Sequence, residues 1–278
     1  MTIKKILVPT DFSECASKAV DLAIPMAKRL DAEVLFLHLY PDPVGSLHVP
    51  NNAGIISLSH AELGHIKTDL DLLVRRAESL GVKARAVLVY DRGSERIEDY
   101  ADSYRVDLII MGTHGLRGIA EWVGGSNAQY VTRHTDVPVL VVKNEVKSSH
   151  IRNILFASSF EENVTAPLLF LTELATCFDA TIHLLYVNLA IHSIEHELAR
   201  KTMAGVVARF PDNKFTINFG ETNDEELAIN TAADKVGADL ITLTPHDRDG
   251  VLKLFSHSIA ENLVNHTSFP VLVLPEVD

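Results

Sequence analysis

Apolar residues fall along this chain in two alternating patterns. Short unbroken runs, such as Ile6-Leu7-Val8-Pro9 and Leu108-Ile109-Ile110-Met111, read as buried strands. Between them lie stretches in which apolar residues recur at helical spacing. The clearest is 13–30, with Ala16, Ala19, Val20, Ala23, Ile24 and Ala27 on one face. Asp11 or Ser13 caps its start. The first half reads as strands over 6–9, 33–40, 83–89, 106–111 and 138–142. Helices are predicted over 13–30, 59–80, 94–104 and 125–133. This alternation implies a parallel sheet with helices on both faces. In such sheets the ligand crevice opens at the carboxyl ends of strands, where strand order reverses. The ends of the first and fourth strands, at Asp11 and Gly112, are the candidates.

The pattern occurs twice. Residues 101–142 align without a gap against 233–274, and Ala101, Asp107, Leu108, Ile109, His114, Ser126, Ala128, His134, Thr135 and Pro138-Val139-Leu140-Val141 all recur. The starts match too: Lys5-Ile6-Leu7-Val8 resembles Asn153-Ile154-Leu155-Phe156. The seam is the polar stretch 144–150. The reading is an α/β chain of two tandem domains, 1–146 and 150–278, each a five-stranded, mostly parallel sheet flanked by helices. The second copy is shorter in its middle, and the surplus of the first is placed around 40–60.

Composition narrows the function. A length of 278 residues suits two domains, and 47% apolar content suits a globular chain. The net charge of −12 speaks against nonspecific binding to nucleic acid or anionic membrane. No apolar run reaches membrane-spanning length, and the first residues lead into a strand without the marks of a signal peptide. The expected location is cytoplasmic. Cys15 and Cys177 make no disulfide framework.

The chemistry is concentrated in Gly112-Thr113-His114-Gly115, followed after nine residues by Gly125-Ser126. These glycines stand where a buried strand passes through a loop into a helix. Glycine lets backbone approach a ligand closely. Free amides in such a loop, and at the start of the next helix, form an anion site. A nucleotide phosphate is the simplest occupant.

These motifs, with Ile6-Leu7-Val8-Pro9-Thr10-Asp11-Phe12-Ser13 and Val137-Pro138-Val139-Leu140-Val141-Val142, resemble the universal stress protein family in its tandem form. The resemblance covers nearly the whole chain. It implies a Rossmann-like adenine nucleotide site in the first half. Asp11 would contact the nucleoside, Pro9 would line the pocket, and the backbone at Leu39 would hold adenine. Met111 and Gly112 would shape the sugar and phosphate floor, with Gly115, Gly125, Ser126 and the backbone of Asn127 around the phosphates. Mg²⁺ would bridge the phosphate oxygens of ATP while keeping several waters. The resemblance also implies that the two halves pair through their last strands as an intramolecular pseudo-dimer, with further homodimerisation open. An unidentified protein partner would read the nucleotide state in stress adaptation.

The second half departs from this pattern. Gly112, Gly115 and Gly125 align with Thr244, Asp247 and His257, and Asp11 aligns with Ser159. A carboxylate at 247 would repel phosphate. One competent site and one degenerate half are expected. His246, Asp247 and Asp249 offer metal ligands without tight spacing, and His192 and His196 lie four apart on one helical face, a spacing that permits a metal pair, but a solvated loop or helix face is the simpler reading. His134 and His266 suit helix ends, where they cap carbonyls. Cys15 lies in a first helical turn and Cys177 reads as core. No general base stands against an attacking water, so no catalytic residue is assigned. A slow Mg²⁺-dependent ATP hydrolase, a nucleotide-free scaffold, and a different ligand in the second half are the alternatives.

Overall fold

The computed structural model describes residues 2–41, 53–91, 96–113, 127–143, 151–160, 164–188, 195–221, 224–245 and 257–275. The first half comprises β1 (Lys5–Pro9), α1 (Glu14–Leu30), β2 (Glu33–Pro41), α2 (Ala53–Ser79), β3 (Ala84–Asp91), α3 (Ile97–Tyr104), β4 (Leu108–Gly112), α4 (Asn127–His134) and β5 (Val139–Val142). The second comprises β6 (Asn153–Ser158), α5 (Thr165–Phe178), β7 (Thr181–Asn188), α6 (Glu195–Val207), β8 (Lys214–Glu221), α7 (Glu225–Val236), β9 (Leu240–Leu243), α8 (His257–His266) and β10 (Val271–Val273).

Two boundaries differ instructively from the sequence pattern. Helix α2 begins at Ala53 rather than at 59, and carries Gly54 and Gly64 within it. It has 27 residues against 13 in α6, so most of the surplus length of the first half is helix rather than loop. Strand β4 begins at Leu108 rather than at 106. The Val106 amide instead closes the turn after α3 on the Ala101 carbonyl, at 2.9 Å. The Asp107 carboxylate accepts from the amides of Lys4 and Lys5, both at 2.8 Å, and so ties the start of β4 to that of β1. Asp239 does the same in the second half, accepting from Arg152 and Asn153 at 2.7 and 2.9 Å.

The ten described strands form one sheet in the order β3-β2-β1-β4-β5-β10-β9-β6-β7-β8. Every pairing is parallel except β5 with β10, where Val139, Leu140 and Val141 face Val273, Leu272 and Val271. Side chains alternate between faces. Ile6, Val8, Phe36, Ile110 and Leu140 join Ile154, Phe156, Leu184 and Leu272 on one face, under α1, α2, α5 and α6. Leu7, Leu35, Ile109, Met111 and Val141 join Leu155, Leu185, Ile241 and Val273 on the other, under α3, α4, α7 and α8. Each apolar layer runs continuously through both halves.

A polar chain crosses the second layer at His183. The Nε2–H of the neutral ring donates to Asn153 Oδ1 at 3.0 Å, and Nδ1 accepts from the Thr216 hydroxyl at 2.7 Å. Thr216 Oγ1 in turn accepts from Asn218 at 2.9 Å, and Asn153 donates to the Gly237 carbonyl at 3.2 Å. A second ring proton would displace the Thr216 hydroxyl hydrogen, and burial already pushes the imidazole below its ordinary value of 6.5. The neutral form is therefore favoured by folding. Its contribution is complete above pH 6.5 and is lost as the pH falls through the lower folded-state value. Thermal unfolding between pH 7.5 and pH 5 should show a steeper acid slope for the parent than for His183→Leu, which copies the Leu35 counterpart. Equal slopes would refute this role.

Candidate functional site

Strand order reverses at β1, which lies between β2 and β4. The chain winds outward through β2 and β3 on one side and through β4 and β5 on the other. In open sheets of this kind the ligand crevice lies beyond the carboxyl ends of the strands at such a reversal, here β1 and β4. Strand β6 occupies the same position in the second half, between β9 and β7.

A compact turn shapes the first crevice. The Thr10 amide bonds to the Leu37 carbonyl at 2.8 Å, extending β1 toward β2. The Thr10 hydroxyl accepts from the Phe12 amide at 3.0 Å, and the Asp11 carboxylate accepts from Ser13 at 3.0 Å. Ser13 is the N-cap of α1, and its hydroxyl accepts from the Ala16 amide at 3.2 Å. Both capping candidates are therefore used: Ser13 on the helix and Asp11 on the turn before it. Phe12 sits at φ 62°, a left-handed conformation that costs a bulky residue energy. His38 helps hold it there. Its Nδ1–H donates to the Thr10 carbonyl at 2.7 Å, and its ring lies 4.9 Å from that of Phe12. The sequence pattern gave His38 no role. Its only signal was a single polar residue within the apolar run 34–39. The second half repeats the turn, with the Ser158 hydroxyl accepting from Phe160 at 3.0 Å and Phe160 at φ 53°.

Pro9, Leu39 and Met111 come from the neighbouring strands β1, β2 and β4. Alternation turns all three toward the face under α3 and α4. Pro9 and Leu39 are half-buried, and Met111 is buried. Asp11 is exposed above them, and its second carboxylate oxygen has no partner among the described residues. Asn127 opens α4 on the same face of the sheet. Gly115, Gly125 and Ser126 lie outside the described residues, as do His114, Leu116 and Trp122.

Gly112 faces the other way, toward α1. A Cβ there would stand 2.6 Å from the Cys15 carbonyl oxygen and 2.7 Å from its carbon. The first turn of α1 thus requires glycine at 112, whatever the crevice binds. The second half has Thr244 at this position. Helix α5 begins at Thr165, later than residue 162, the counterpart of Glu14, and the Thr244 side chain is accommodated in full burial. Its hydroxyl and that of Thr242 are buried without hydrogen-bond partners among the described residues.

The remaining candidates divide. Among the described residues, no group of three His, Cys, Asp or Glu side chains is placed to hold a metal. His192, His246, Asp247 and Asp249 lie outside them, and the side chains of His196 and His257 are not described. No described helix is long and apolar enough to cross a membrane. His134 caps a carbonyl as expected, bonding Tyr130 O at 2.8 Å, whereas His266 approaches Glu226 at 3.4 Å. Cys177 is half-buried at the α1–α5 seam rather than deep in the core, and burial with nearby Glu173 pushes its thiol up.

Residues 2–143 and 189–275 match the profile of the Universal stress protein family. The chain belongs to that family. A universal stress protein of Methanocaldococcus jannaschii is 34% identical over 145 residues, covering 52% of this chain and 84% of its own length. Another from the same organism is 31% identical over 156 residues, covering 51% of this chain and 96% of its own length. Each such relative thus corresponds to about half of this chain. A universal stress protein structure from Archaeoglobus fulgidus shares the fold along 100% of this chain and 98% of its own, with a TM-score of 0.77 at 19% identity.

The contact between Gly112 and Cys15 makes a prediction about stability. Gly112→Ala should destabilise the protein by about 1–3 kcal/mol, because rigid helix backbone must move. Chemical denaturation of the ligand-free protein measures this. A change under a few tenths of a kcal/mol would mean that α1 yields freely.

Proposed function

We propose that the first half binds ATP with Mg²⁺ and that the second half is its permanent pairing partner, in a regulatory protein of the stress response. The observation that carries this reading is the arrangement at the first crevice. An exposed carboxylate oxygen of Asp11 stands over a floor made by Pro9, Leu39 and Met111. An apolar floor suits a purine face, and a free carboxylate oxygen suits a ribose hydroxyl. The glycine signature begins at Gly112, the last residue of β4, and continues in sequence through Gly115, Gly125 and Ser126, and amides around it and at Asn127 suit phosphate. Mg²⁺ would be held chiefly by the phosphates and water. The second half has Ser159 for Asp11, Asp247 for Gly115 and His257 for Gly125, which supports a single competent site. The net charge of −12 speaks against nonspecific nucleic-acid binding, and a cytoplasmic location is part of the same proposal. Its output would be a protein contact that differs between the ATP-bound and free states.

Titration calorimetry with MgATP on the intact chain tests this, with free phosphate assayed on the same sample. The expected result is one ATP per chain and no phosphate released. Asp11→Ala should weaken binding roughly tenfold or more, as expected for losing a charged hydrogen-bond acceptor. Gly115→Asp, which copies the second half, should abolish binding with little loss of stability. Absence of binding heat at several temperatures would favour a nucleotide-free scaffold. Phosphate release that Gly115→Asp removes would favour the slow hydrolase.

A further inference from the structure

A groove of about 260 Å³ lies between α7 and β8, the outermost strand of the second half. Its counterpart between α3 and β3 carries larger side chains. There Val87, Val89, Tyr100 and Tyr104 pack against the apolar layer. Strand register relates the two places: Arg85 pairs with Leu35 as Thr216 pairs with His183. The left-handed helix caps Arg105 and Gly237 relate α3 to α7. On that correspondence the four filling residues become Asn218, Gly220, Ala232 and Val236, and all four line the groove. Two aromatic rings and two branched side chains have been replaced by smaller or polar groups at one place. Gly220 lets the start of α7 sit close to β8, since a Cβ there would press on the Ala228 methyl at 3.3 Å, and the groove opens further along the helix, toward Ala232 and Val236.

The groove also has a polar end. Lys235 is exposed and forms no ion pair among the described residues. Asn218 spends its amide hydrogens on the Leu184 carbonyl at 3.2 Å and the Thr216 hydroxyl at 2.9 Å, which leaves its side-chain oxygen as an acceptor. At the other end Leu227 is 59% exposed, an apolar wall open to solvent.

We propose that this groove binds a small aromatic carboxylate. The ring takes the space that Tyr100 and Tyr104 fill in the first half, and the carboxylate pairs with Lys235. Lys235 lies in the last turn of α7, whose carbonyls carry partial negative charge. The ammonium's attraction is therefore partly offset, and the ring supplies most of the affinity. The site is separate from the crevice at β1 and β4, so it is independent of ATP binding.

The test uses the full chain with 4-hydroxyphenylacetate as probe and p-cresol as its uncharged analogue, followed by calorimetry and ligand-observed NMR. One probe should bind per chain, equally well with and without MgATP and in Gly115→Asp. Ala232→Tyr, which restores the first half's residue, should abolish binding while the far-ultraviolet spectrum and unfolding temperature are kept. Val236→Tyr gives a second filled groove if the first variant does not fold. Lys235→Ala should weaken the carboxylate roughly three- to fivefold, as for an exposed ion pair, and leave p-cresol unchanged. No binding at millimolar probe, or binding that survives both filled variants, would overturn the site. Equal loss of both probes in Lys235→Ala would overturn the carboxylate assignment.

Discussion

The antiparallel pairing of β5 with β10 is the constraint on which the rest of the molecule rests. Each strand alone is short, and each would otherwise be an open edge with unpaired amides and carbonyls. Joined, they let the apolar layers of the two halves run together on both faces. Leu140 and Leu272 face each other at the seam, each about 1% exposed. Burying a leucine is worth about 1.5–3 kcal/mol. Helices reinforce the seam above and below. Glu173 accepts from the Ile3 amide at 2.9 Å, the Arg29 guanidinium lies 5.0 Å from the Phe178 ring centre, and Arg133 pairs with Glu261. The last two strands thus serve as the middle of one sheet rather than the margins of two.

That central seam leaves the switch points at β1 and β6 some distance inward from the outer edges, where both neighbours of each strand are parallel. Parallel neighbours diverge in chain direction only after the strand ends, so the turn Thr10–Ser13 is held from both sides. The left-handed Phe12 is tolerable because Thr10, Asp11, Ser13 and His38 over-determine it. The turn is therefore held in one shape by side-chain bonds to its own backbone.

Much of this was legible in the sequence, because the recurring residues turn out to carry recurring bonds. Asp107 and Asp239 each clip two strands. The Pro138 and Pro270 carbonyls each accept from the opening of the adjacent strand, at 2.9 and 3.0 Å. Thr135 and Thr267 each close the turn before it. The pairing of the last strands also followed from the sequence resemblance. Three features did not. The early start of α2 was not legible because Gly54 is a poor helix former, yet the helix runs through it. Gly112 was read for its ligand, whereas its packing reason lies in Cys15, a residue with no sequence relation to it. His38 and His183 act through cross-strand bonds, which depend on register, and spacing along the chain does not encode register. The groove beside β8 is similarly invisible until the two halves are laid on each other in space.

Covalent fusion of the two halves has a consequence at the level of populations. Partners held in one chain meet at an effective concentration set by their connection, so their pairing does not depend on how much protein a cell makes. Free subunits that form dimers exchange with related subunits by mass action, and each mixture dilutes the original pair. This chain cannot exchange its halves. Its two crevices are always present in equal number and always unlike, so one copy is free to drift toward another use while the other keeps its partner.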